Sequence, residues 1–234
     1  MPRLYLNQPL TEKTLITLSL EQSHYLLHVL RQRAGDKVTV FNAENGDWSA
    51  VVRESVRKQI VLEINSQIKP AVPTNPLWLA FAPLKQEATN FVLEKATELG
   101  VTHVQPLWMD HSNTQRLNEE RWQKIMIEAA EQCERQDIPV LLPSLKLMDF
   151  LGNLPSEPLW FVALERSDQT PLLSALQKKP QGPYGFIIGP EGGFSAVEQQ
   201  AFRQHPSLQI ISLGWRVLRA ETAALTVLAV AQSV

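Results

Sequence analysis

A single cysteine, Cys133, stands in 234 residues. It excludes an intramolecular disulfide and any metal site built from cysteines. No uninterrupted apolar run reaches about 18 residues, the length that marks a membrane helix. The start, MPRLYLNQPLTEKT, lacks the apolar core of a signal peptide. A cytoplasmic protein without a membrane partner is the expectation. Excess charge of one sign is also missing: 22 Lys and Arg face 24 Asp and Glu, a net of −2. That excludes a uniformly basic nucleic-acid binder and leaves room for a local basic patch. What is present, 44% hydrophobic and 20% charged residues, is globular composition.

Charge is unevenly spread. Residues 1–70 carry nine Lys and Arg against seven Asp and Glu, and residues 71–234 carry thirteen against seventeen. The break falls at Lys69-Pro70-Ala71-Val72-Pro73-Thr74-Asn75-Pro76, where three prolines resist both helix and sheet interior. Two domains are expected, 1–70 and 71–234. The first reads as short β-branched strands over 37–42, 47–54 and 59–65, with an Asn45-Gly46 hairpin turn and one helix over 21–33. A small β-barrel fits that pattern. The second alternates strands (77–82, 103–107, 159–164, 184–188, 208–211) with helices (87–99, 118–135, 171–178, 195–204, 221–231). The expectation is an α/β domain on a largely parallel sheet.

The stretch Ile188-Gly189-Pro190-Glu191-Gly192-Gly193-Phe194-Ser195 carries the most chemical information. A buried strand runs into glycines, and Ser195 with Glu198 forms a capping box for the helix that follows. Glycines there let a ligand approach the backbone, at the strand end where α/β sheets bind ligands. The spacing fits neither a dinucleotide fingerprint nor a P-loop. Glu191 would repel a phosphate, so a neutral or cationic reacting centre fits better; a plain tight strand-to-helix connection has the same pattern. A second junction, Ser212-Leu213-Gly214-Trp215-Arg216-Val217-Leu218-Arg219-Ala220-Glu221, places two arginines and a glutamate before a helix apolar nearly all round. Such a helix is buried or packs on another subunit. Taken singly, the charges also suit a surface and a helix dipole.

Elsewhere the signals are softer. His24 and His28 stand four apart on one helix without a third metal ligand, so no metal is expected. With Arg31 and Arg33 they offer a cationic stretch that could meet RNA phosphates or simply face solvent. In the helix over 87–99 an apolar stripe runs through Ala88, Phe91, Val92, Ala96 and Leu99. Lys95 falls into it, tethering a partner carboxylate, reaching a ligand, or snorkelling. Cys133 lies on the apolar stripe of Trp122, Ile125, Met126 and Ala129 and reads as a packed small hydrophobe.

Together these stretches resemble one family. The matching segments are His24–Arg31 with Gly35-Asp36, Phe41–Gly46, Glu94–Val101, Arg121-Trp122, Glu128–Arg135, Ile188–Ser195 and Leu213–Ala224. The family is that of the bacterial 16S rRNA uracil-N3-methyltransferases of the RsmE type, in the SPOUT superfamily. The resemblance spans nearly the whole chain. This chain departs from it at Gln86-Glu87-Ala88, at Asp110-His111-Ser112 where Glu-Arg-Ser is common, at Trp215 and at Ala220.

The resemblance implies a PUA-like N-terminal barrel that binds RNA and a C-terminal α/β domain with a deep trefoil knot. It implies S-adenosyl-L-methionine as methyl donor, the 16S rRNA of the small ribosomal subunit as substrate, and a homodimer. The cofactor would lie among Leu164, Glu165, Ile188, Gly189, Pro190, Glu191, Gly192, Gly193, Ser212, Leu213, Gly214, Val217 and Leu218. Arg219 and Glu221 are the catalytic candidates, for charge stabilisation and for orientation or proton removal. His24, His28, Arg31, Arg33 and Lys95 are the RNA-binding candidates. A related enzyme with another RNA target, or a non-catalytic ribosome-assembly factor, remains open at this stage.

Overall fold

The computed structural model describes residues 1–56, 59–114, 116–164, 169–178 and 182–234. The chain divides into two compact units: Met1–Pro73 with Ala130–Ile138, and Thr74–Ala129 with Pro139–Val234.

The first unit is built on a five-stranded sheet. Its elements are β1 (Arg3–Tyr5), β2 (Leu15–Thr17), α1 (Leu20–His24), β3 (Lys37–Asn42), β4 (Gly46–Val56) and β5 (Gln59–Lys69). The order is β1-β3-β4-β5-β2, antiparallel except for the β1–β3 pair. No hydrogen-bonded pairing joins β2 to β1 among the described residues, so the sheet itself is open. Inward residues of alternate strand positions (Val38, Val40, Ile60, Leu62 and Ile64) pack with Leu26. The Asn45-Gly46 turn is where the sequence places it: Gly46 has φ +75°, and Asn42 accepts from the amides of Glu44 and Asn45.

The helix expected over 21–33 is shorter. Its regular part is α1, capped by a reciprocal Ser19/Gln22 box, and it widens into a π-turn over Tyr25–Val29. Arg31 then takes a left-handed φ of +55°, and the amide of Gln32 closes on the Leu26 carbonyl at 2.8 Å. A left-handed residue at that place ends the helix.

Nine-residue segment 130–138 completes this unit. Arg3 donates to the Arg135 carbonyl at 3.0 Å, and the Tyr5 amide donates to Glu131 at 3.0 Å. Local composition around the proline break carries no sign of this long-range addition.

The second unit holds β6 (Leu77–Phe81), α2 (Gln86–Glu98), β7 (His103–Trp108), the start of α3 (Glu119–Gln132), β8 (Val140–Leu141), β9 (Leu145–Lys146) and α4 (Leu147–Gly152). It continues through β10 (Leu159–Ala163), β11 (Thr170–Pro171), α5 (Leu172–Gln177), β12 (Tyr184–Ile188), α6 (Ala196–Gln204), β13 (Leu208–Ser212) and α7 (Ala220–Ala231). The sheet order is β11-β13-β10-β12-β6-β7-β8, with β9 also on β7, and every pair is parallel. This is an α/β architecture.

Helices cover both faces, as a parallel sheet requires. On one, Leu147, Phe150 and Leu151 of α4 and Phe202 of α6 pack on Ala80, Trp160, Val162 and Ile187. On the other, Phe161 stacks on Phe186, their rings 5.6 Å apart, and α7 packs on α2, α5 and β12.

One expectation changes here. In α2 the buried side is Thr89, Val92, Leu93, Ala96 and Thr97, whereas Phe91 is exposed. The reading by hydrophobicity failed because both threonines satisfy their hydroxyls locally: Thr89 at Leu84 and Thr97 at the Leu93 carbonyl. A bonded hydroxyl is cheap to bury. For α7, of the two alternatives the sequence left, burial is the one seen for Ala220, Ala224, Val227, Leu228 and Ala231.

Candidate functional site

The carboxyl ends of four parallel strands converge on one cavity of about 670 Å³. Lys85 follows β6, Ala163 and Leu164 end and follow β10, residues 188–194 leave β12, and residues 213–223 run from the loop after β13 into α7. Parallel strands all point the same way, so their following loops gather at one edge, where ligands of such sheets sit.

Local chemistry shapes each loop. After β12, the amide of Gly193 closes on the Pro190 carbonyl at 2.9 Å, and Gly193 has φ +70°, a region that favours glycine. Ser195 then caps α6: its hydroxyl accepts from the Glu198 amide, and the Glu198 carboxylate accepts from the Ser195 amide at 2.8 Å. After β13, the Gly214 amide donates to the Ser212 hydroxyl at 3.3 Å. Arg219 stands at the start of α7 with its side chain 87% exposed, and its guanidinium lies 4.0 Å from Glu221, whose side chain is largely buried.

The structure gathers Leu164, Ile188, Gly189, Pro190, Glu191, Gly192, Gly193, Leu213, Gly214, Val217, Leu218, Arg219 and Glu221 around this one cavity. Ser212 is different: it ends β13 and turns its hydroxyl to the loop backbone. Glu165 lies outside the described residues. Lys85, Gln199 and Ala223 also line the cavity and were missing from the sequence reading, while Phe194 and Arg216 line it from within the stretches that reading singled out. Arg216 was visible as a junction charge, but Lys85 had no local signal, since only strand order brings the end of β6 here. The Arg216 guanidinium lies 4.3 Å over the ring of Trp215, which is 80% exposed.

The cationic candidates His24, His28, Arg31 and Arg33 belong to the first compact unit. His24, His28, Arg31 and Arg33 are all exposed, the two imidazoles 4.6 Å apart. Lys95, on α2, is engaged by its own helix: it pairs with Glu94 at 2.7 Å and Glu98 at 2.8 Å. Hydrogen bonds to Glu94 and then Glu98 push its pKa up to about 12. Of the sequence alternatives, the tethered carboxylate is the one the geometry displays. Among the described residues no group of three or more His, Cys, Asp or Glu could hold a metal ion, and no helix is long and apolar enough to cross a membrane.

The cavity suits a ligand of cofactor size. Its walls offer apolar side chains (Leu164, Ile188, Leu213, Val217, Leu218) and backbone groups, with Glu191 and Glu221 available to a cation.

Comparison with known proteins agrees with this layout. A family profile described as an RNA methyltransferase domain matches residues 71–232, and one described as an RNA methyltransferase PUA domain matches residues 19–65. The ribosomal RNA small subunit methyltransferase E of Rickettsia conorii is 31% identical over 228 residues, covering 97% of this chain and 93% of that protein. A methyltransferase of Legionella pneumophila, solved with bound SAM, is 32% identical with a TM-score of 0.88, covering 99% of this chain and 96% of the other. The ribosomal RNA small subunit methyltransferase E of Neisseria gonorrhoeae, solved with S-adenosyl methionine, is 28% identical with a TM-score of 0.88, over 100% and 97% of the two chains.

Proposed function

The chain belongs to the ribosomal RNA small subunit methyltransferase E family, and on that premise we propose that it methylates 16S rRNA of the small ribosomal subunit, at N3 of a specific uridine, with S-adenosyl-L-methionine as donor. The observation that carries the reading is the cavity where the loops after β10, β12 and β13 meet at one edge of the parallel sheet.

Bound S-adenosylmethionine supplies an electrophilic methyl carbon on a cationic sulfonium. The chain's part is to orient and to keep water out. Leu164, Ile188, Leu213, Val217 and Leu218 would hold the apolar portion of the cofactor, and the acidic Glu191 and Glu221 suit its positive centre. Uracil N3 faces its pairing partner in a duplex, so the target base must be unpaired or flipped. N3 must also lose its imide proton before its lone pair can attack the methyl carbon. Arg219, at the positive end of α7, stabilises the negative charge that then spreads to O2 and O4. Glu221 orients the base or receives the proton.

In this reading residues 1–70 form a PUA-like barrel whose exposed His24, His28, Arg31 and Arg33 meet phosphates. Residues 71–234 form the catalytic domain, a SPOUT fold with a trefoil knot, and act in the cytoplasm as a homodimer. Exposed Trp215 and Val217 beside the cavity support a second copy; sedimentation at micromolar concentration should give about twice 26.4 kDa.

The deciding experiment is nucleoside mass spectrometry of 16S rRNA from small subunits incubated with the protein and isotope-labelled S-adenosylmethionine. Labelled N3-methyluridine in one fragment is the expected product. A label on another base, or none, would overturn the assignment.

A further inference from the structure

Behind the glycine loop lies a second loop that the catalytic reading leaves unused. Residues 109–112 follow β7, and Ser112 shapes them through two bonds: its hydroxyl accepts from the Met109 amide at 2.9 Å, and its amide donates to the Met109 carbonyl at 3.0 Å. Three contacts tie this turn to the cavity loop some eighty residues away.

The first runs through Glu198, which is 2% exposed. One carboxylate oxygen accepts from the Asp110 amide at 2.9 Å and the other from the Ser195 amide at 2.8 Å. A single buried side chain therefore holds both loops. The second contact is from the Ser195 hydroxyl to the Asp110 carboxylate at 2.5 Å. In the third, Nδ1 of His111 lies 3.1 Å from the carbonyl oxygens of both Gly192 and Gly193. Carbonyls only accept, so Nδ1 carries a proton and donates.

The consequence is specific to one peptide plane. Between Gly192 and Gly193, the carbonyl faces His111 while the amide donates to Pro190. Both ends of that peptide are pinned, and both glycines line the cavity. The approach is close: a Cβ on Gly192 would come within 3.0 Å of the His111 Cβ. Glycine at 192 thus makes room for the His111 side chain.

We propose that His111 is a positioning residue for the cofactor loop. Its Nδ1–H sets the Gly192 and Gly193 carbonyls, and the Asp110–Ser195–Glu198 cluster anchors the far end of the same loop. Preorganised backbone needs less ordering when a ligand binds. The inference rests on the proposal that this cavity takes S-adenosylmethionine, and its test separates the two.

Asparagine places its amide nitrogen close to where Nδ1 sits, glutamine places it near Nε2, and leucine donates nothing. Calorimetric titration with S-adenosylmethionine, and hydrogen exchange of the peptide spanning residues 189–195 without ligand, are compared for wild type, His111→Asn, His111→Gln and His111→Leu. Thermal melts verify that all four fold. Losing one hydrogen bond of ordinary strength should weaken binding by roughly three- to tenfold in His111→Leu and His111→Gln, with faster exchange in the loop. His111→Asn should stay within about twofold of wild type on the same grounds. Unchanged cofactor affinity in His111→Leu overturns the inference. So does an equal loss in His111→Asn, which would mean that ring packing and not the donor matters. If wild type itself does not bind S-adenosylmethionine, the cofactor reading falls. The exchange comparison then decides the loop-positioning claim alone: unaltered exchange in His111→Leu removes it.

Discussion

Arg3 and Asp47 form an ion pair at 3.2 Å with side chains 8% and 3% exposed, joining the first strand of the small sheet to the start of its longest hairpin. The guanidinium also lies 4.3 Å over the Phe41 ring and donates to the Arg135 carbonyl. Its Nε is buried with no hydrogen-bond partner among the described residues. Removing one partner of such a pair leaves a charge stranded in apolar surroundings. Asp47→Ala should therefore cost about 3–5 kcal/mol in urea unfolding. Replacing both, as Arg3→Met with Asp47→Leu, should recover part of the loss because no charge is then left behind. A double variant no better than Asp47→Ala would show that the Arg135 contact, not the ion pair, carries the stability.

The proposed division of labour makes the two arginine sites separable. Arg31 holds a left-handed backbone, which costs a non-glycine residue about 1–2 kcal/mol. Arg31→Gly removes the side chain and that strain together, so melting temperature should hold or rise while rRNA affinity falls. If the guanidinium contacts phosphate, the salt dependence should flatten by roughly one unit of slope or less. Arg219 makes no side-chain cap and is mostly exposed. Arg219→Ala should leave stability and rRNA affinity nearly intact and lower single-turnover methylation, because the interaction lost belongs to the transition state. Full turnover in Arg219→Ala, or unaltered RNA binding in Arg31→Gly, would sink the corresponding role.

His103 supplies a pH dependence. Its ring stacks on Trp78 at 4.2 Å and its Nδ1 lies 2.9 Å from the Thr102 hydroxyl, which also bonds both backbone groups of Leu77. Burial lowers the pKa of His103 below 6.5. The unfolded chain therefore takes up a proton that the folded chain resists. This contribution to stability is full above the unfolded pKa and declines as pH falls through about 6.5 toward the folded value. His103→Phe keeps a ring for Trp78 and removes the titration. Its melting temperature should fall less than that of wild type between about pH 7 and about pH 5. Parallel decreases in the two proteins would assign the pH effect to other groups.

The sequence was legible wherever the governing interactions are short-range. Ser195 and Glu198 are three residues apart, so their reciprocal cap could be read directly, as could the Asn45-Gly46 turn. Strand–helix alternation told of a parallel sheet, because only crossovers connect such strands. The glycines after β12 and β13 marked two walls of the cavity. The buried face of α2 was misplaced, since a hydrophobicity pattern does not register hydroxyls that bond within their own turn.

What the sequence by itself determined, then, is the set of local elements and the loops able to approach a ligand: caps, turns and apolar periods act over a few residues and need no partner elsewhere. Only the tertiary structure decided which of those loops meet. Strand order brought Lys85 to the same cavity as Arg219, and hydrogen bonds from Arg3 and Tyr5 tie residues 130–138 into the unit of Arg3 and Asp47. Strand order also set His111 against Gly192, eighty-one positions away along the chain. Such contacts depend on how the whole sheet stacks its strands, a global minimum over many competing pairings, and no window of neighbouring residues encodes it.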